Sequence, residues 1–167
     1  MANLMCIGRV VPHRGPIFIA LALAAAVFVA PAADAVPRFA NCGEGDHEVT
    51  GLDIAGCNDA VCEVSPVEEL DLTLTFTSRA SARTAESTLS MTDAKQRTEN
   101  WTVGACQDMP CPVEAGKLYR YKPRIFFPPR FTASPRNTAI QLQIVLTGAS
   151  GGDSRRLACV SIPLRTK

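Results

Sequence analysis

Apolar and polar residues alternate strictly along three stretches of the chain. In 70–77 one side is Leu70, Leu72, Leu74 and Phe76, and the other is Asp71, Thr73, Thr75 and Thr77. In 138–147 Ile140, Leu142, Ile144 and Leu146 share a side, with Gln141 and Gln143 opposite. In 157–164 Ala158, Val160, Ile162 and Leu164 alternate with Leu157, Cys159, Ser161 and Pro163. A period of two puts successive side chains on opposite faces of a strand, so each stretch predicts a strand with one face buried. Shorter strands are predicted at 48–54, 62–65, 86–92 and 117–127. Gly148, Gly151, Gly152 and Asp153 predict a hairpin turn between the last two long strands. Beyond residue 35 no run of eleven or more residues has a 3.6-residue period. About seven strands at this spacing predict an all-β fold, a sandwich or a barrel.

The N-terminus follows another pattern. Residues 17–30 read IFIALALAAAVFVA, fourteen apolar residues without a charge. Arg9 and Arg14 precede them with no acid, and Ala33-Asp34-Ala35 follows as a small-residue cleavage pattern. A basic start, a short apolar run and such a site together predict a secretory signal peptide over residues 1–35. The run is shorter than the ~20 residues of a membrane-spanning helix. Residues 36–167 are then the mature domain, soluble and exported. The expected location is extracellular, with the endosomal–lysosomal lumen as an alternative destination.

Composition narrows the classes. The formal net charge is +1, and 47% of residues are hydrophobic against 20% charged. The first argues against a generic nucleic-acid binder, and the second against a mainly disordered chain. Charge is uneven along the sequence: residues 117–167 hold ten basic side chains and one acidic, and residues 36–116 hold five basic and fourteen acidic. Lys117, Arg120, Lys122, Arg124, Arg130 and Arg136 flank the aromatic segment Phe126-Phe127-Pro128-Pro129. Such a face suits the phosphate or carboxylate of an anionic lipid, or a membrane or receptor contact through 117–136. The simpler reading is a solvated face paired with the acidic half.

Removing the signal peptide removes Cys6 and leaves six cysteines, an even number that reads as a disulfide framework in an exported chain. Fifteen pairings are formally possible. Cys57-x4-Cys62 and Cys106-x4-Cys111 look like two short clips, which leaves Cys42 and Cys159. A metal site is the weaker reading, because zinc ligands usually sit in tighter pairs within reducing compartments. One histidine remains, His47, in the polar run Glu44-Gly45-Asp46-His47-Glu48. With the cysteines committed and no nucleophile–base motif, no P-loop and no dinucleotide fingerprint, neither catalysis nor a cofactor is expected.

The order of these features resembles a known family. Phe39-Ala40-Asn41-Cys42-Gly43 opens the mature chain, followed by Val49-Thr50-Gly51-Leu52-Asp53-Ile54, Gly56-Cys57 and Val61-Cys62-Glu63-Val64. The threonine-alternating strand 70–78 comes next. Cys106, Cys111-Pro112-Val113, Lys117-Leu118-Tyr119-Arg120-Tyr121 and Ala158-Cys159-Val160-Ser161-Ile162-Pro163-Leu164 complete it. The match over about residues 39–164 resembles the secreted ML lipid-recognition domains, which include the Niemann-Pick type C2 sterol-binding proteins and the group 2 mite allergens. The resemblance implies an immunoglobulin-like β-sandwich with a lipid cavity between its sheets. It also implies the pairing Cys42–Cys159, Cys57–Cys62 and Cys106–Cys111.

By themselves the inward positions favour an ordinary closed core; the resemblance turns them into a cavity wall. That wall is Leu72, Leu74, Phe76, Leu89, Met91, Ile140, Leu142, Ile144, Val160 and Ile162. Trp101 and Val103 line one side of the mouth. The opposite rim comprises Tyr119, Tyr121, Ile125, Phe126, Phe127 and Phe131. The 92–103 segment, read as a loop, is much more polar than the proline- and aromatic-rich loop of the sterol-binding members, which counts against cholesterol. Asn100-Trp101-Thr102 is an N-glycosylation sequon in that segment. The expected protein is a monomeric lipid carrier or sensor. The alternative is an extracellular adhesion module or receptor ligand with a closed core and no lipid.

Overall fold

A computed structural model describes residues 38–42 and 47–167, with side chains excluded at 47 and 48. The expected signal peptide, the Glu44-Gly45-Asp46 run and the His47 side chain therefore lie outside the described residues. Among the described residues there are ten strands: β1 Ala40–Asn41, β2 His47–Ile54, β3 Cys62–Val64, β4 Leu70–Ser78, β5 Thr84–Asp93, β6 Thr98–Gly104, β7 Leu118–Tyr121, β8 Arg124–Ile125, β9 Ala139–Ser150 and β10 Asp153–Thr166. A four-residue helix, α1 Pro129–Thr132, follows β8, and a 3-10 turn, Ala105–Gln107, follows β6.

Two sheets pack face to face, as the alternating strands predict. One has the order β1-β10-β9-β5-β6, with β3 pairing parallel to the end of β10; the other has β2-β4-β7, with β8 also beside β4. The strand β10 also packs against β2 and β4 of the other sheet. This places β2 over the β10 side of the sandwich and leaves β7 and β8 over the β5–β6 side.

Ten strands replace the expected seven for three reasons. β1 is only two residues long and carries no readable pattern. Pro123 interrupts the segment expected at 117–127, because proline has no N–H for the ladder, and divides it into β7 and β8. The third strand, β6, lies within the segment read as a polar loop. Its half-buried side is Glu99, Trp101 and Val103, and the charged Glu99 in an inward position hides the alternation. Asn100 is exposed on this strand rather than in a loop.

The hairpin from β9 to β10 turns at Gly151 and Gly152, whose φ values of 63° and 95° are in the region glycine occupies without strain. Register shifts between Arg156 and Ala158, so Leu157 and Ala158 are both buried and Leu157 is not on an outward face as simple alternation has it. Gly148 is needed for a different reason. A Cβ there meets the Ala82 Cβ and comes within 2.8 Å of Leu157 Cδ1, so no larger residue fits. The disulfides join Cys42–Cys159, Cys57–Cys62 and Cys106–Cys111, the pairing the resemblance implies.

Candidate functional site

The wall residues lie in one apolar layer between the sheets. Leu89 and Met91 on β5, Ile140, Leu142 and Ile144 on β9, and Val160 and Ile162 on β10 face inward from one side. Leu72, Leu74 and Phe76 on β4, Tyr119 and Tyr121 on β7, Ile125 on β8 and Phe127 face them from the other. Trp101 and Val103 on β6 are partly buried against the same layer. Leu74, Phe76, Leu89, Tyr121, Leu142 and Ile144 are each 0% exposed, so no gap the size of a water molecule touches them. In this state the inter-sheet space around these side chains is shut.

The expected rim needs correction. Tyr119, Tyr121, Ile125, Phe127 and Phe131 are core, and only Phe126 is exposed, at 61%. Alternation explains the difference. Tyr119, Tyr121 and Ile125 take inward positions, while Arg120, Lys122, Arg124 and Phe126 point outward. Pro129 then starts α1, where its fixed φ suits the first helical position, and the turn carries Phe131 back into the core. The aromatic segment is in this state a plug at the end of the sandwich.

The two segments expected to form the mouth do meet. Arg130 Nε donates to Glu99 Oε1, joining α1 to β6, and both side chains are partly exposed. Behind this pair, Asp93 fixes the turn from β5 to β6. Its Oδ1 accepts the backbone N–H groups of Lys95 at 2.8 Å and Arg97 at 3.0 Å, and its Oδ2 accepts Arg97 Nε at 2.7 Å. The Arg97 side-chain hydrogen bond, opposed by desolvation and aided by the two backbone bonds, holds the carboxyl below its ordinary value.

Two hydroxyls interrupt the apolar layer. Ser87 on β5 and Tyr121 on β7 are both fully buried, and among the described residues neither Oγ nor OH has a hydrogen-bond partner. Burial pushes the Tyr121 phenol up to about 12; the neighbouring Ser87 hydroxyl offsets part of that shift, and the Asp108 carboxylate adds to it. Ser87 and Tyr121 are thus neighbours across the sandwich without meeting hydrogen-bond geometry. Tyr119 differs, accepting the Glu114 N–H at 2.7 Å and reaching the Pro112 carbonyl at 3.5 Å. Sequence reasoning missed Ser87, although a serine in the inward register Ala85, Ser87, Leu89, Met91 was a readable signal. It also missed Glu99.

Surface clefts occur beside the β5–β6 turn, where one of about 540 Å3 reaches Ile140 and Leu164, and also away from it. One of about 580 Å3 is lined by Glu69, Asp71, Gln107, Asp108, Lys122, Pro123 and Arg124. The Lys122–Asp71 ion pair, 3.0 Å long, runs beside it, so this polar hollow does not suit an apolar chain. Of the six basic residues flanking the aromatic segment, Lys117, Lys122 and Arg130 pair with Glu114, Asp71 and Glu99. Arg120, Arg124 and Arg136 are exposed and form no ion pair among the described residues. Among the described residues no group of three or more His, Cys, Asp or Glu side chains is placed to hold a metal ion.

A family model described as the ML domain matches residues 37–166. Among solved structures, a Niemann-Pick type C2 protein from the Japanese carpenter ant is similar with a TM-score of 0.61 at 17% identity, covering 78% of this chain and 99% of that one. The C-terminal domain of wzt is similar with a TM-score of 0.51 at 9% identity, covering 80% and 81%. Chicken MD-1 complexed with lipid IVa has a TM-score of 0.47 at 13% identity, covering 75% and 95%. No curated protein matches. At these identities the likeness to the ant and wzt structures shows the sandwich fold.

Proposed function

The chain belongs to the ML-domain family, a generally non-enzymatic lipid-recognition group, and from that premise we propose that it is a secreted lipid carrier or sensor. The apolar part of a sterol, fatty acid or other lipid inserts between the sheets, and its polar head stays near Glu99 and Arg130. The observation that carries this reading is the apolar layer itself, closed along the β6–α1 side by an ion pair between side chains rather than by a backbone ladder. Opening that side separates the sheets without breaking strand pairing. Three disulfides and the N-terminal pattern support export, with 36–167 as the mature domain.

The energetics allow it. Burying a sixteen-carbon chain at about 0.8 kcal/mol per CH2 returns about 13 kcal/mol gross. Association and ordering consume part of this, and separating packed side chains consumes more, which leaves micromolar to nanomolar binding within reach. The shut interior also favours a second reading, an extracellular interaction module that never opens and presents Arg120, Arg124 and Arg136 to an acidic partner.

Native mass spectrometry of protein secreted from a eukaryotic host, followed by solvent extraction, tests the two. A mass excess resolving into a sterol, fatty acid or phospholipid is expected. Protein that stays free of lipid after incubation with mixed lipids sinks the carrier reading. Partner binding that weakens steeply with salt then identifies the module.

A further inference from the structure

We propose that Ser87 and Tyr121 form a hydrogen-bonding point inside the sandwich that selects lipids carrying a neutral oxygen, a hydroxyl or ketone, within their buried part. The inference rests on the reading that lipid enters between the sheets, and it goes beyond that reading by naming what the buried chain carries.

Two unpartnered oxygens in one apolar layer call for a reason. Both residues are 0% exposed, and less than 1 Å2 of either oxygen is open, so no water reaches them in this packing. The strand partners of Ser87 are Val103 and Leu146, and that of Tyr121 is Leu74, none of which offers a side-chain hydrogen bond. Alanine and phenylalanine would fill these positions without burying an unpaired hydroxyl, so the present residues cost stability in the closed state. Two residues before Tyr121 on the same strand, Tyr119 uses its hydroxyl to fix the Pro112–Glu114 backbone. Among the described residues the Tyr121 hydroxyl has no such partner.

The chemistry of the pair identifies the ligand class. Each hydroxyl both donates and accepts, and the two come from opposite sheets. When the sheets part around an apolar chain, an oxygen on that chain lies between them. A ketone accepts from both, and an alcohol accepts from one and donates to the other. A saturated chain leaves both unpaired. A carboxylate is disfavoured, because the burial that suppresses ionisation of the phenol applies equally to an incoming charge.

Isothermal titration calorimetry with two probe sets tests this: stearate against oxo and hydroxy derivatives substituted at successive chain positions, and cholesterol against 25-hydroxycholesterol. In the unaltered protein the best oxygenated probe is expected to bind about tenfold tighter than its parent, the size of one well-made hydrogen bond. Tyr121→Phe and Ser87→Ala are each expected to remove most of that preference. Lipid-free Tyr121→Phe is expected to melt no lower than the unaltered protein. A flat profile with the parent lipids still bound overturns the inference and leaves the carrier reading intact. So does a preference that survives both substitutions, or a lower melting temperature of lipid-free Tyr121→Phe. Failure of every probe to bind removes both the inference and the reading beneath it.

Discussion

The two long sides of the sandwich are held together by different means. On the β10 side, the Cys42–Cys159 disulfide ties the end of β1 to β10, and Cys57–Cys62 joins the segment after β2, in one sheet, to β3 in the other. Backbone bonds reinforce the clips: Cys42 N–H donates to the Cys159 carbonyl at 3.1 Å, and Lys167 N–H to the Val64 carbonyl at 3.0 Å. On the β6 side, Trp101 and Val103 pack against the core, and the Glu99–Arg130 pair spans the gap near the start of β6. The third disulfide, Cys106–Cys111, lies just past the far end of β6, in the connection to β7. Only Cys57–Cys62 bridges the two sheets and fixes their spacing there whatever lies between them; Cys42–Cys159 and these backbone bonds brace a single sheet along the same side. On the other side the spacing depends on packing and on one partly exposed ion pair. A protein that has to admit a guest without unfolding needs this asymmetry.

The largest effect is expected on the stapled side. Replacing Cys42 and Cys159 by serine opens a link with a sequence separation of 117, which in the chain-entropy account removes about 4–5 kcal/mol of stability. Replacing Cys57 and Cys62, separated by 5, removes about 2 kcal/mol on the same account. Equilibrium urea denaturation of the two pair-variants measures both. Equal losses would mean that the stapled side works through local geometry rather than by restricting the unfolded chain.

Gly148→Ala supplies a break belonging to neither side. The added Cβ collides with Ala82, in the connection from β4 to β5, and with Leu157 on β10, and a loss of about 1–3 kcal/mol is expected. If the asymmetry is real, this variant lowers the melting temperature without changing the rate of lipid exchange.

Much of this architecture was legible in the sequence. The long strands β4, β9 and β10 were readable because their inward positions over 70–76, 140–146 and 158–164 are apolar, so the buried set follows from the period, whereas its reading as a cavity wall came from the resemblance. The β6 side was not readable, since its inward positions are Glu99, Trp101 and Val103, and a carboxylate in register breaks the pattern. Tyr119 and Tyr121 were expected at the rim of the mouth. Two residues apart on one strand they must share a face, and that face is the core. Ser87 escaped notice because a small polar residue among apolar neighbours says little until the opposite sheet is known.

Acid is expected to loosen the β6 side first. The Asp93 carboxyl is held below its ordinary value of 3.8 by Arg97 and the turn backbone. A carboxyl with a lowered folded-state value adds stability above the unfolded-state value and loses it as pH falls through the folded-state value. The amides of Lys95 and Arg97, which donate to Asp93, should therefore lose protection, measured against the intrinsic exchange rate at each pH, as pH falls below 3.8, while those of β10 stay protected. Asp93→Asn should show the lower protection already at neutral pH. Simultaneous loss of protection on both sides would contradict a weaker β6 side.

The smallest effect on stability, and the most informative on exchange, is expected at Glu99. With the two side chains 30% and 37% exposed, solvent screens the pair with Arg130, so Glu99→Gln should cost no more than about 1 kcal/mol. If opening of the β6 side requires this pair to break, the same energy appears in the release rate. Stopped-flow measurement of fluorescent fatty-acid release should show a twofold to fivefold acceleration on the order of that pair's strength. Added salt should accelerate release from the unaltered protein and leave Glu99→Gln unchanged, because screening acts only while both charges are present. Exchanging the two residues, as Glu99→Arg with Arg130→Glu, should restore slow, salt-sensitive release. A release rate indifferent to all three changes would move the opening away from β6, and the stapled side would then have to be re-examined as the moving one.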